Sequence, residues 1–97
     1  SSSKERIKRL KSARKKPKQK IVSTIVYERN SDVVAEVQYR AKGICEKCLK
    51  TAPFDRKSDG SPYLEVHHEV PLAKGGDDTV ENAIALCPNC HREAHFG

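Results

Sequence analysis

The sequence predicts a small α+β domain in which two short strands lead into a C-terminal helix, with another helix and a basic tail ahead of them. Three observations predict it. Apolar residues alternate or cluster over 63–70 and 83–86, and residues 88–96 can turn as a helix directly afterwards. Val34, Val37 and Ala41, with Val33 alongside, form an apolar stripe at helical spacing within 32–42. Four cysteines fall as two identical pairs, Cys45-Glu46-Lys47-Cys48 and Cys87-Pro88-Asn89-Cys90, which bracket the first strand and follow the second.

The elements can be justified in order. Residues 1–20 hold ten Lys/Arg and one acid, Glu5, for a local charge of +9. This reads as a basic flexible tail or linker, in which Glu5 to Lys16 could form a nascent helix that Ile7 and Leu10 cannot hold alone in water. Residues 21–27 are β-branched and apolar, suited to a strand or an extended connector. Ser31 can cap the 32–42 helix, Asp32 suits its first turn, and Gly43 stops it. Residues 49–62, with Pro53, Asp59-Gly60 and Pro62, are loop or hairpin turn. Leu64, Val66 and Val70 give the first strand its inward face, and Pro71 ends it. Residues 73–79 form a Gly/Asp loop, Ala83 to Leu86 a second strand, and Pro88 is tolerated at the start of the last helix.

Composition limits what such a chain can do. In 97 residues, 36% are hydrophobic, with no Trp and no Met, so the core is thin and a staple is expected. No apolar run reaches the roughly 18 residues that span a bilayer. There is no secretory signal, so a cytoplasmic location with reduced thiols is expected, and the chain reads as a fragment of something longer. Under reducing conditions the paired CxxC spacing of Cys45, Cys48, Cys87 and Cys90 fits a tetrahedral structural zinc site. Four thiolates leave no open position on the ion, so that site supplies folding energy rather than catalysis.

The net charge of +6 divides unevenly, because residues 21–97 carry nine Lys/Arg against twelve acids, a balance of −3. The folded part therefore cannot hold an anionic polymer by net charge, whereas the tail attracts nucleic acid by counterion release. Lys15, Lys16 and Lys18 are the candidate contacts there, with Arg92 as a candidate phosphate contact near the last helix.

All four histidines fall in the last 31 residues. His91 and His95 are four apart on the last helix and can grip one ion. His67 and His68 are neighbours on a strand and point to opposite faces, so one can join a metal site while the other faces a substrate. Three imidazoles with open positions describe a catalytic rather than a closed site.

The run Leu64-Glu65-Val66-His67-His68-Glu69-Val70-Pro71-Leu72, then Gly75-Gly76, Asn82 and Leu86-Cys87-Pro88-Asn89-Cys90-His91-Arg92 through His95, resembles the HNH endonucleases. Within that family it is similar to the C-terminal nuclease domain of modified-cytosine-dependent restriction endonucleases, over roughly residues 28–97. The resemblance implies the ββα-metal fold in its four-cysteine zinc branch. It implies His68 as general base and Asn82 as the residue that holds the base loop and orients His68. It implies His67, His91 and His95 as ligands of one catalytic divalent ion, with Mg²⁺, Mn²⁺, Ni²⁺, Co²⁺ and Zn²⁺ as candidates. Many relatives carry Asp where His67 stands, and the neutral ligand favours the softer ions on affinity. Glu65 and Glu69 flank the histidine pair and could orient an imidazole.

The expected function is metal-dependent hydrolysis of DNA phosphodiester bonds, as the cleavage domain, residues 21–97, of a restriction-type enzyme acting on modified DNA. An N-terminal recognition domain outside this chain would read the modification, and a homodimer would serve double-strand breaks. The alternatives are a non-catalytic zinc-stapled DNA-binding module and a nuclease relative in DNA repair.

Overall fold

The computed structural model describes residues 2–97. Three helices and two strands follow in the order α1 (Ser3–Ser12), α2 (Ser31–Ala41), β1 (Glu65–His68), β2 (Ala83–Leu86) and α3 (Pro88–Phe96). No helix among the described residues is long and apolar enough to cross a membrane.

The helix that the tail could form over Glu5 to Lys16 stands at Ser3–Ser12. Ser2 accepts a hydrogen bond from the Glu5 N–H at 3.2 Å, and its hydroxyl donates to the Glu5 carboxylate at 3.1 Å. This Ser-x-x-Glu capping box starts α1 at Ser3, two residues before Glu5, and the helix buries none of its residues. From Ala13 to Asn30 the chain has no regular secondary structure, and Ile21, Val22, Ile25 and Val26 lie exposed along it. Residues 21–27 are thus the connector rather than a strand.

α2 begins one residue earlier than the sequence suggests. Asn30, not Ser31, caps it, with Oδ1 accepting from the Asp32 N–H at 2.9 Å. Val37 and Ala41 are buried, while Val33 and Val34 pack at the margin. The helix ends on Lys42 and Gly43, both with positive φ (52° and 79°). A Cβ on Gly43 would sit 3.1 Å from the Pro62 ring, so both conformation and space favour glycine there.

β1 and β2 pair antiparallel, with Val66 opposite Ala85 and His68 opposite Ala83. Val66 and His68 face the core with Leu64, Ala83 and Ala85, and α2 covers that side. Glu65 and His67 point to the opposite face, where α3 packs. Val70 does not extend the inward face; it is half exposed. The Asn82 side chain takes over its backbone groups, accepting from the Val70 N–H at 2.9 Å and donating to the Val70 carbonyl at 3.0 Å, so β1 stops at His68.

Arg40 ties the elements together. It grips Glu46 bidentately, both contacts at 2.8 Å, and donates to the Val80 and Ala83 carbonyls. Glu46 also accepts from the Ala85 N–H at 2.9 Å, which joins the first cysteine pair to β2. The Arg40 hydrogen bond chiefly holds the Glu46 carboxyl below the usual carboxylate range. A depressed carboxyl stabilises the fold above its unfolded value and loses that contribution as pH falls through the folded one. Glu46→Gln should therefore cost about 1 kcal/mol at pH 7, allowing for the exposure of Arg40. The urea midpoints of variant and parent should converge as the pH drops from 5 toward 3. A gap that stays constant with pH would contradict the ionic origin.

Candidate functional site

The four cysteine sulfurs lie within 4.8 Å of one another, and those of Cys48 and Cys87 are 4.0 Å apart. A tetrahedral zinc with Zn–S bonds of about 2.3 Å has sulfur–sulfur edges of roughly 3.8 Å, so the donor set fits the ion. Leu49, at φ 62°, turns the first pair, and Cys87 caps α3, its sulfur accepting from the Cys90 N–H at 3.5 Å. Burial pushes the Cys45 thiol up, but the backbone N–H groups around it prevail and draw it down to about 6. Cys90 is pushed up to about 12, first by the neighbouring Cys87 sulfur and then by burial. Charge on one sulfur thus opposes charge on the next, a demand that a dication meets.

The second cluster joins β1 to α3. His67 comes from the α3 face of the strand, and His91 and His95 sit one turn apart on the helix. Their ligand nitrogens also fall within 4.8 Å of one another, and the Nε2 atoms of His91 and His95 are 3.0 Å apart. The His67 ring stands edge-on to both, at centroid distances of 5.1 and 5.0 Å. Burial, then the two neighbouring imidazoles, hold His67 below the usual imidazole range, which favours the neutral form that ligates metals.

Glu65 orients this cluster. Its carboxylate lies 2.7 Å from His91 Nδ1 and accepts from the Tyr63 hydroxyl at 2.7 Å. The Tyr63 hydrogen bond, then that of His91, keep Glu65 below the usual carboxylate range, so it acts as an acceptor. His91 then carries its proton on Nδ1 and presents Nε2 to the cluster. Glu69 is exposed and orients no imidazole; its backbone N–H bonds the Asn82 carbonyl at 2.9 Å.

His68 takes the other face, as expected of its neighbour position, and is 5% exposed. Its Nε2 lies 2.8 Å from Asp78 Oδ1, and the other Asp78 oxygen accepts the Asn30 N–H at the start of α2. The Asn30 N–H, then His68, hold Asp78 below the usual carboxylate range. Asn82 makes no direct bond to His68. It pins the intervening loop instead, at Val70 and at the Asp77 carbonyl, 2.8 Å away. Gly76 packs in the same loop, where a Cβ would come within 1.8 Å of the Val70 carbonyl oxygen. A cavity of about 310 Å³ brings His68 together with His67, His91 and His95, and Tyr27 of the connector also lines it.

Asp78 and Tyr63 are not legible as site residues in the sequence. The one signal for Asp78 is its place in the Gly/Asp loop between His68 and Asn82. Arg92 lines a second, larger cleft beside the histidines, together with Arg29 and Arg56, which the sequence also leaves unmarked. Lys15, Lys16 and Lys18 lie on the exposed segment after α1, and none lines either cleft.

The sequence pattern of the HNH endonuclease family matches residues 45–97. The chain is 58% identical over 71 residues to the type IV methyl-directed restriction enzyme EcoKMcrA of Escherichia coli (strain K12), a match covering 73% of this chain and 25% of that protein. It is 42% identical over 51 residues to Anaredoxin of Nostoc sp. (strain PCC 7120), covering 53% of this chain and 59% of that protein. Among solved structures it superposes on the type IV phosphorothioation-dependent restriction endonuclease ScoMcrA with a TM-score of 0.63 and 38% identity, over 71% of this chain and 14% of that one. The chain thus spans about a quarter of the length of the E. coli relative.

Proposed function

Since the chain belongs to the HNH endonuclease family, we propose that residues 21–97 form a metal-dependent nuclease that hydrolyses DNA phosphodiester bonds, with residues 1–20 as a basic tail. The observation that carries this reading is the cavity shared by two differently equipped sets of histidines. His67, His91 and His95 offer converging nitrogens for one divalent ion, and His68 stands beside them with a carboxylate behind it.

In this reading Asp78 accepts the Nε2 proton of His68 and leaves Nδ1 with the lone pair. His68 Nδ1 then takes a proton from the water that attacks phosphorus. Asn82 keeps the 69–78 loop folded so that Asp78 stays under the ring. Tyr63 and Glu65 fix His91 in the ligating tautomer. His67, His91 and His95 would hold a divalent ion, which would supply Lewis-acid polarisation of the scissile phosphate and charge stabilisation of the leaving group. The products carry 5′-phosphate and 3′-hydroxyl ends. Zinc on the four cysteines has no part in the chemistry.

The names of EcoKMcrA and ScoMcrA support a restriction-type role on modified DNA. Most of each relative lies outside the match, which supports recognition by a separate domain. Double-strand breaks then need two copies of this site, and a cytoplasmic setting keeps the cysteines reduced.

Nicking of supercoiled plasmid, with Mg²⁺, Mn²⁺, Co²⁺, Ni²⁺ or Zn²⁺ added singly, tests the reading. The parent should cut with at least one ion. His95→Ala should lose at least 100-fold of that activity, since ligand loss leaves an incomplete site, while keeping its circular-dichroism spectrum. A parent inert with every ion, or a His95→Ala variant as active as the parent, would overturn it.

A further inference from the structure

We propose that the cleft between β1, α2 and α3 is the track along which the DNA backbone approaches the histidine trio, and that Arg29, Arg56 and Arg92 are its phosphate contacts. This deepens the nuclease reading and rests on it. The cleft encloses about 550 Å³, and His91 and His95 form one of its walls. Arg29, His91 and His95 also line the smaller cavity that holds His68, so the two spaces meet at the trio. A strand laid in the cleft leads its next phosphate to those imidazoles.

The charge state of the three guanidinium groups carries the argument. Among the described residues none has a carboxylate within ion-pair distance, whereas Arg40 and Lys47 are paired with Glu46 and Glu93. The acid in the cleft wall, Glu65, is taken up by Tyr63 and His91. Arg29 and Arg56 are held by neutral acceptors, the Val66 carbonyl at 3.1 Å and the Leu64 carbonyl at 2.8 Å. Arg56 also lies over the Tyr63 ring at 4.6 Å, and Arg92 over Phe96 at 5.1 Å. Each guanidinium has five N–H donors, so these tethers fix its position and leave donors for an anion. Three guanidinium groups that feel Asp78, Asp59 and Glu65 only at longer range, without a salt bridge, thus gather in one cleft of a body whose balance is −3. A polyanion carrying regularly spaced phosphates is the ligand class that such a row fits.

The test uses the full chain and a duplex DNA oligonucleotide, with binding read by fluorescence anisotropy without added divalent ion and nicking read separately. Arg29→Gln, Arg56→Gln and Arg92→Gln should each lower the slope of log K against log salt by about 1. Each should raise KM severalfold more than it lowers kcat. Arg56→Lys and Arg29→Lys, which keep the charge, should restore most of the slope; where a glutamine variant of Arg29 or Arg56 unfolds, Arg92→Gln, at an exposed position on α3, carries the test of slope and KM. Unchanged slope and KM in folded variants, or a fall in kcat alone, would overturn the cleft assignment. A parent that binds with these arginine-dependent slopes but never cuts would overturn the nuclease reading and leave the cleft standing as a DNA-binding surface.

Discussion

Cys45→Ser should unfold the domain. The apolar core consists of Val37, Ala41, Leu64, Val66, Ala83, Ala85, Leu86 and Cys45 itself, so among the described residues it holds no buried Phe, Tyr or Trp. A zinc ion on the four cysteines would therefore carry an unusual share of the stability. A four-cysteine zinc site contributes about 10–16 kcal/mol in small domains, which equals or exceeds the roughly 5–15 kcal/mol that separates a folded domain from its unfolded chain. Cys45 is fully buried, and the pair it belongs to is tied to β2 through Glu46. Removing this ligand opens the zinc shell and loosens that junction together. The expected result is loss of the β and α2 signal by circular dichroism, loss of bound zinc, and the same collapse in the parent on chelation. A Cys45→Ser protein that retains native spectra and stoichiometric zinc would show that the apolar core suffices.

His68→Ala should have the larger effect on turnover, about 10²–10⁴-fold, with the fold retained. The variant removes the one imidazole that lines the shared cavity outside the metal cluster. Asp78→Ala should cost less, about 10–100-fold, because the ring stays in place while its tautomer is no longer fixed. The order of the two effects is the informative part. If Asp78→Ala equals His68→Ala, the aspartate does more than hold the ring; if His68→Ala cuts as the parent does, another group removes the proton. Since the alanine leaves a small hole beside Val66, melting temperatures need to accompany the rates, and His68→Asn offers a closer fit in volume.

The fold was legible wherever the sequence carries its own punctuation. α3 runs over Pro88–Phe96, with Pro88 tolerated in its first turn as the sequence shows, and with Cys87 as a cap that only the structure reveals. The alternation that placed Leu64 and Val66 inside failed at Val70, since a side chain from twelve residues on, Asn82, occupies its backbone. The helix in the tail was legible but its bounds were not, because the Ser2 cap, rather than any buried face, sets where it starts. At the site, the four cysteines and the His91–His95 pair follow from spacing, whereas the choice of His67 over His68 as their companion came from the family resemblance. Asp78, Tyr63, Arg29 and Arg56 do not, because each reaches the site from a loop or connector whose path depends on tertiary contacts.

The stretch between α1 and α2 has a geometric consequence. Residues 13–24, ahead of those that line the cavity or bond to the domain, amount to twelve positions without regular structure, which can extend to about 40 Å. Any body anchored through α1 leaves the nuclease a search radius of that order, with an effective local concentration set by tether length rather than by intrinsic affinity. Scission at a distance governed by such a leash would be scattered over many base pairs around the anchoring point. A rigid coupling would instead mark one fixed offset.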